Sequence, residues 1–322
     1  MFDRCVSVVV AGLLALAAPF AAAQLASYPS RPVTLVVPFP AGSASDLSSR
    51  LLATDMASAL GQPVLVQNRP GGNSAIGAAS VATAPADGYT LLVGSVGTVA
   101  LPYLVKSLSF DPLKDLTPIA LIGRFVLQLY VASELPVRNV AELMDYARKN
   151  SGKLNYASGN VTSIAASAQL LALAGNVNMT HVPYKGEPAA MVDLGSNRVQ
   201  VMFSTPSSAD PLVKSGKIRL IATALPQRST AEPDVPSINE TYPGYSVTAW
   251  TALMAPKGLP REVVDRLSSA VNAALARPET RDKLLAMRAV PAASTPDAFA
   301  GFVREQSELY GRVLREAGVQ PE

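Results

Sequence analysis

Short apolar segments alternate along the chain with loops of small residues and with helical patterns. The first such unit is an apolar strand at residues 31–37, followed by a loop at residues 38–45 that is rich in Pro, Gly and Ser. Asp46 then begins a helical pattern whose apolar residues lie on one face: Leu47, Leu51, Leu52, Met56 and Leu60. Gly61 is predicted to end this helix.

The order of strand, loop and helix is repeated further along the chain. Strands are expected at residues 64–66, 89–93, 154–158, 179–182, 199–203 and 218–222, and helices around residues 76–84 and 164–173. Two amphipathic helices follow near the C-terminus, with apolar stripes that begin at Val263 and Phe299. This alternation of strands, loops and helices predicts an α/β fold with mainly parallel sheets, in which loops at the carboxyl ends of the strands form a ligand crevice.

Two long apolar segments, residues 119–132 and 247–255, do not fit single-domain helices. We interpret both as strands that cross between two α/β lobes, with a cleft between the lobes. The predicted organisation is a signal peptide at residues 1–23, a first lobe of residues 24–125 plus 247–322, and a second lobe of residues 126–246.

Residues 1–23 have the pattern of a secretory signal peptide. Arg4 precedes an apolar run at residues 6–18, Pro19 breaks that run, and three alanines end at Ala23. The run is shorter than the roughly 20 residues needed to span a bilayer, which argues against a membrane anchor. We therefore predict export to the periplasm with cleavage after Ala23, so that Gln24 begins the mature chain.

The composition narrows the chemistry that the chain can perform. Its 322 residues are 49% hydrophobic, which suits two packed domains, and the formal net charge of +3 gives no basic field for nucleic acid. The single cysteine, Cys5, lies in the predicted signal peptide, and the single histidine is His181. Disulfides, cysteine metal sites and most triad chemistries are therefore excluded from the mature chain, and we predict neither a cofactor nor a metal.

The loop at residues 38–45 is the strongest candidate for a binding site. Its small residues allow the backbone to approach a ligand, and free N–H groups at the start of the following helix attract an anion. Ser43 and Ser45 add hydroxyl donors, whereas Asp46 is better explained as a helix cap. A loop at residues 158–163 precedes a helix in the second lobe and is placed to hold the same anion from the opposite side. Ordinary helix capping is the alternative explanation for its hydroxyls, and the two roles can coexist.

Enzyme-like patterns in the chain are incomplete. Residues 72–77 resemble a phosphate loop, but two alanines stand where Lys and Ser/Thr are required. Ser95 lacks the G-x-S-x-G frame of a nucleophile elbow, and His181 is better explained as a structural histidine than as a general base. Because no credible pair of nucleophile and base remains, we predict a protein that is not an enzyme. Ser95 and Thr98 are interpreted as hydrogen-bond donors in the cleft.

Several different short motifs follow one another along nearly the whole mature chain. They are Pro38-Phe39-Pro40-Ala41-Gly42 with Asp46, Asn68-Arg69-Pro70-Gly71-Gly72, Asp87-Gly88-Tyr89-Thr90, Asn155-Tyr156-Ala157-Ser158, His181-Val182-Pro183-Tyr184-Lys185-Gly186 and Pro233-Asp234-Val235-Pro236-Ser237. None of them is specific alone. Together, and in this order, they resemble the substrate-binding proteins of tripartite tricarboxylate transporters, also called the Bug family.

The resemblance implies a two-lobed periplasmic binding protein fold of type II-like topology, which closes on a carboxylate and partners a membrane transporter. In this family, the loop from Phe39 to Asp46, here containing Ala41, Gly42 and Ser43, holds one carboxylate through main-chain N–H groups and ordered water. The other ligand-binding residues carried over by position are Ser95, Thr98, Ser158, Thr162, Ser163 and Ser204.

Two departures from the family pattern bear on the ligand. Many members have Asp where this chain has Ser204, and many carry His in the stretch occupied here by residues 164–166. The loss of an acidic side chain argues against a ligand with an ammonium group. It also leads us to expect a smaller, less polar far end of the site. We therefore predict a dicarboxylate or an aromatic carboxylate as the ligand.

The predicted function is capture of this carboxylate by a monomeric periplasmic protein, which delivers it to the membrane subunits of a tripartite tricarboxylate-type transporter. A component that presents its ligand to a signalling receptor is an alternative that the sequence leaves open. A periplasmic hydrolase is a further alternative. Neither the charge nor the motifs indicate a nucleic-acid partner.

Overall fold

The protein folds into two β-sheets with helices packed around them. The computed structural model describes residues 28–229, 232–245, 247–316 and 319–321. The predicted signal peptide and its cleavage after Ala23 lie outside the described residues. The first sheet, ordered β11-β4-β10-β3-β1-β2, contains β1 (Val33–Val37), β2 (Val64–Asn68), β3 (Thr90–Ser95), β4 (Leu116–Phe125), β10 (Ala249–Pro256) and β11 (Ala289–Pro291). The second sheet, ordered β7-β6-β8-β5-β9, contains β5 (Gln128–Ala132), β6 (Asn155–Ser158), β7 (Thr180–Pro183), β8 (Val201–Ser204) and β9 (Ile218–Thr223).

Helices connect and cover these strands. The described helices are α1 (Ala44–Leu60), α2 (Ala75–Ala82), α3 (Val96–Ala100), α4 (Val140–Lys149), α5 (Val161–Ala174), α6 (Glu187–Gly195), α7 (Pro206–Lys214), α8 (Arg261–Ala276), α9 (Pro278–Ala286) and α10 (Pro296–Glu316). The sequence patterns predicted α1, α2, α5, α8 and α10. Helices α6, α7 and α9 were missed because each has a proline in its first turn. Proline resembles a loop signal in sequence but suits the first helical position.

Strand direction follows the route of the chain. Strand β1 pairs in parallel with β2 and β3, and β6 pairs in parallel with β7 and β8, as predicted for strands joined through helices. Strands β5 and β10 pair antiparallel with their neighbours, so both sheets are mixed. Each of these two strands is the first that the chain forms in its sheet after passing from the other sheet.

The chain passes between the sheets twice. The first passage separates β4 from β5 at Val126 and Leu127, inside the predicted crossing segment 119–132. The second passage lies between the end of β9 at Thr223 and the start of β10 at Ala249. The predicted crossing segment 247–255 is instead almost wholly β10, which pairs within the first sheet, so the second passage precedes it. The exact lobe boundaries stay a prediction.

The apolar core is continuous from one sheet to the other. One cluster of buried side chains includes Leu92 and Leu121 of the first sheet together with Leu129 and Phe203 of the second. Helix α10 contacts β4 and α3 on one side and α5 on the other, so it packs against both lobes. Burial of this shared surface stabilises the two lobes jointly. The predicted α/β fold with two lobes is thus confirmed, with mixed rather than mainly parallel sheets.

Candidate functional site

A cavity of about 50 Å³ lies between the two sheets, and we call it the inner cavity. Its walls come from both lobes: the start of α1, the end of β3, the first passage and β10 on one side, and the starts of α5, α6 and α7 on the other. A neighbouring outer cavity of about 350 Å³ shares part of this wall, at Phe39, Pro40, Gly159 and Asn160. The carboxyl ends of the parallel strands therefore converge on one cleft, as the strand order requires.

The structure divides the predicted ligand-binding residues into two groups. Phe39, Ser43, Ser95 and Thr162 line the inner cavity. The others line neither cavity: Ala41, Gly42, Asp46, Thr98, Ser158, Ser163 and Ser204. Ala41 and Gly42 are exposed, whereas the remaining five are buried among protein groups. Their hydrogen bonds explain what each of the buried residues does.

In the first lobe, Asp46 organises the loop before α1. Its carboxylate accepts hydrogen bonds from the Gly42 N–H at 2.9 Å and from Asn68 Nδ2 at 2.9 Å, and it forms an ion pair with Arg50 at 3.0 Å. Burial acts to raise the pKa of Asp46, but hydrogen bonds from Arg50, Gly42 and Asn68 outweigh it and lower the pKa below its usual value. The N-cap of α1 is Ser43, whose Oγ accepts from the Asp46 N–H at 3.3 Å. Asp46 is thus held as an anion within the loop.

The second polar wall of this lobe is the turn from β3 into α3. Ser95 caps the helix by accepting from the Gly97 N–H at 3.1 Å, and Thr98 Oγ1 accepts from the Ser95 N–H at 3.2 Å. This reciprocal capping box makes the turn the start of a short helix. Ser95 remains part of the cavity wall, while Thr98 is fully buried behind it.

In the second lobe, Asn160 and Ser163 cap α5. Ser163 Oγ accepts from the N–H groups of Gly159 at 3.1 Å and Asn160 at 3.2 Å and donates to the Asn160 carbonyl at 2.8 Å. Ser158 Oγ lies 2.6 Å from Nε2 of His181. The hydroxyls of Ser158 and Ser163 are therefore engaged within the lobe, and only that of Ser163 takes part in capping the helix. Gly159, Asn160 and Thr162 are the residues of this turn that line the cavity.

The residue that sequence reasoning missed is Glu187, at the start of α6. It is only 7% exposed and lines the inner cavity. Its Oε1 accepts from Asn160 Nδ2 at 2.8 Å, and its Oε2 accepts from Ser204 Oγ at 2.9 Å and from Thr205 Oγ1 at 3.2 Å. The expectation of a less polar far end beside Ser204 is therefore wrong, because Glu187 supplies a carboxylate there. The sequence signal for it was an acidic residue directly after Gly186 in a motif before a helix.

A second missed residue, Thr251, lies on β10. It lines the inner cavity and is 2% exposed, and its Oγ1 has no hydrogen-bond partner among the described residues. Unpaired buried hydroxyls are uncommon because they lose hydrogen bonds to water without replacement. The sequence signal was a single hydroxyl in an otherwise apolar strand. Apolar walls complete the cavity, from Phe39, Phe125, Leu127 and Trp250.

The charges around the two cavities differ. The described residues lining the inner cavity include Glu187 but no Lys, Arg or His, whereas Lys185 lines the outer cavity. Across the described ranges, no group of acidic, Cys or His side chains is arranged to hold a metal ion. No described helix combines the length and the apolar character needed to cross a bilayer. The arrangement is chemically suited to enclosing a small polar molecule through neutral donors and one acidic acceptor.

Comparison with known sequences gives a consistent result. A family model described as tripartite tricarboxylate transporter family receptor matches residues 48–319. Protein BugT of Bordetella pertussis (strain Tohama I) is 33% identical over 299 residues, which cover 91% of this chain and 91% of that protein. A UPF0065 protein encoded in the gbd 5' region of Cupriavidus necator is 34% identical over 307 residues, covering 95% of this chain and 93% of the relative.

Solved structures agree with the sequence matches. The R. palustris protein Rpa4515 with adipate has a TM-score of 0.87 and 34% identity, covering 92% of this chain and 100% of the other. The periplasmic binding protein BugD has a TM-score of 0.86 and 32% identity, with coverage of 92% and 100%. MatC (Rpa3494) from Rhodopseudomonas palustris with bound malate has a TM-score of 0.84 and 33% identity, with coverage of 89% and 100%.

Proposed function

The chain belongs to the tripartite tricarboxylate transporter receptor family, and on that premise we propose that it captures a small carboxylate in the periplasm and delivers it to the membrane subunits of a tripartite tricarboxylate-type transporter. The ligand we propose is a dicarboxylate or an aromatic carboxylate. The mature protein begins at Gln24 after cleavage, acts as a monomer and performs no catalysis on its ligand.

The observation that carries the proposal is the inner cavity, with neutral donors on both of its sides. Ser43 and Ser95 line it from the first lobe, and Asn160 and Thr162 line it from the second. A carboxylate that enters the cavity loses its hydrogen bonds to water, and protein donors must replace them. Hydrogen bonds to an ionised acceptor are stronger than those between neutral groups. Neutral donors supply these bonds without burying a second charge.

The remaining predicted residues take a supporting role in this proposal. Asp46 and Thr98 fix the two first-lobe turns, and Ser158, Ser163 and Ser204 fix groups of the second lobe. Gly42 gives the first turn its shape, since its φ of +81° lies in a region that residues with a side chain rarely adopt. Direct ligand contacts are assigned to Phe39, Ser43, Ser95 and Thr162, with the exposed Ala41 at the rim of the loop.

The apolar walls support the proposed ligand class. Phe39, Phe125 and Trp250 offer aromatic surface to either a short aliphatic chain or a ring. Two structural relatives were solved with adipate and with malate, both of them carboxylates. Because each lobe supplies part of the wall, a bound ligand stabilises the arrangement in which the lobes are close together. Ligand binding thereby shifts the population towards the form that the transporter would recognise.

Isothermal titration calorimetry of the mature protein against a broad panel of organic acids tests the proposal. We expect binding of a carboxylate without product formation, and a Thr162→Val variant that binds it about tenfold more weakly through loss of one hydroxyl. Thr54→Val is the matched control, because Thr54 is an exposed helical threonine on α1. Turnover of the ligand, or no heat from any acid, would contradict the proposal. Intact mass of periplasmic protein checks the cleavage after Ala23.

A further inference from the structure

A buried carboxylate in a cavity for carboxylates needs an explanation. Glu187 is held by three donors, of which Asn160 Nδ2 bonds Oε1 while Ser204 Oγ and Thr205 Oγ1 share Oε2. An ionised carboxylate has about four acceptor positions, so the open one lies on Oε1. Since Glu187 lines the inner cavity, this position is available to a group in the cavity.

The surroundings of Glu187 favour a hydrogen-bond donor beside its carboxylate. It occupies the first turn of α6, where the helix dipole favours an anion. The described side chains that line the inner cavity include no cation to neutralise it. Like charges repel more strongly in such a poorly solvated place than in water. A second carboxylate placed against Glu187 is therefore disfavoured, while an O–H or N–H group there is favoured.

An independent observation indicates that the cavity is built around a polar ligand. Thr251, contributed by the other lobe, has a buried hydroxyl without a partner in the same cavity. A ligand oxygen that bonded Thr251 and a ligand donor that bonded Glu187 would satisfy both lobes at once. The two groups thus define a cavity with a donor on the first-lobe side and an acceptor on the second-lobe side.

We propose, resting on the carboxylate-binding function proposed above, that Glu187 selects carboxylates that also carry a hydrogen-bond donor. Within both proposed ligand classes, this means hydroxylated acids in preference to their unsubstituted counterparts. An ammonium group satisfies the same acceptor. Glu187 thereby supplies a carboxylate next to Ser204, where the sequence analysis expected none. The absence of an acid at residue 204 therefore no longer argues against a ligand with an ammonium group.

Matched ligand pairs test this selection by titration calorimetry on the mature protein. The pairs are malate against succinate and 4-hydroxybenzoate against benzoate, with aspartate against succinate as the arm that distinguishes ammonium from hydroxyl. We expect the donor-bearing member of at least one pair to bind about tenfold more tightly, as one hydrogen bond to a charged group predicts. In Glu187→Gln, which keeps the size of the side chain, this ratio falls towards one. Glu262→Gln keeps the wild-type ratio, since Glu262 is an exposed acid in the first turn of α8.

The possible results separate the two proposals. Equal affinity for both members of every pair that binds, or a preference that Glu187→Gln leaves unchanged, overturns the selection while carboxylate binding stands. Tighter binding of the unsubstituted acid in every pair that binds also overturns it. An absence of binding to these acids and to the broad panel overturns the carboxylate-binding function itself. Circular dichroism of Glu187→Gln establishes that any change in the ratio occurs in a folded protein.

Discussion

Replacing Thr251 by Val should make the protein more stable and its ligand binding weaker. Valine keeps the branched shape of threonine and exchanges the hydroxyl for a methyl group, so the strand β10 and its neighbours keep their packing. In the unliganded protein the hydroxyl is buried and has no partner, so its removal relieves a cost. In the complex the same hydroxyl is expected to bond a ligand oxygen, so its removal takes away an interaction.

The magnitudes follow from the burial of this one group. A buried polar group left unsatisfied costs about 1–3 kcal/mol, so we expect the free energy of unfolding of Thr251→Val to rise by about 1 kcal/mol or more. A hydrogen bond to a charged ligand oxygen contributes about 1.5 kcal/mol or more to binding, so its loss in Thr251→Val should raise the Kd about tenfold. Urea unfolding without ligand measures the first quantity, and titration calorimetry measures the second.

Ser167 provides the matched control. Its Oγ is the other buried side-chain atom without a partner among the described residues, but Ser167 lies on α5 away from both cavity linings. Ser167→Ala is therefore expected to raise stability and leave the Kd unchanged. A Thr251→Val protein that is less stable than wild type, or that binds its ligand with unaltered affinity, would refute the assignment of this hydroxyl to the ligand.

Further predictions concern other parts of the fold. A hydrogen bond from Arg228, together with the Ser237 N–H, lowers the pKa of Glu240 from 4.5 to about 2. The stability that this carboxylate contributes is therefore present above about pH 4.5 and lost as the pH falls towards 2. The drop in the urea unfolding midpoint between these two pH values should be smaller in Glu240→Gln than in wild type. Ser163→Ala should lower the free energy of unfolding by about 1 kcal/mol through loss of helix capping, seen in urea titrations; an unchanged midpoint contradicts this. Gly186→Ala should weaken ligand binding in calorimetry, because a Cβ there would lie 2.6 Å from Pro40 Cγ across the cleft; unaltered affinity would show that the lobes need not approach so closely.

The sequence was sufficient for elements whose signals are local. Leu52, Met56 and Leu60 are spaced as one helical face and are buried on α1, and Gly61 ends that helix with a φ of +73°. The loops before α1 and α5 were recognised because small and hydroxyl residues follow apolar strands. Such patterns depend only on neighbouring residues, so they are readable without the fold.

Features that depend on the fold were not readable in this way. Glu187 meets Ser204 through a hydrogen bond between the turns that follow β7 and β8, which become neighbours only when both strands pair with β6. Because the sequence analysis did not predict α6, nothing marked Glu187 as a residue of a first helical turn. The apolar run that became β10 also gave no sign of where the chain leaves the second sheet, since a crossing and a central strand have the same hydrophobic pattern.

Trp250 is the only tryptophan in the chain, and it forms part of the inner cavity wall. Its indole N–H donates to Gln306 Oε1 at 3.0 Å, and its ring meets Phe299 and Phe302 edge-on, so a single environment surrounds it. The protein consequently carries an intrinsic optical reporter next to its ligand. Emission excited selectively in the indole band comes from this one site, and a candidate acid can be titrated without any label or any correction for distant tryptophans.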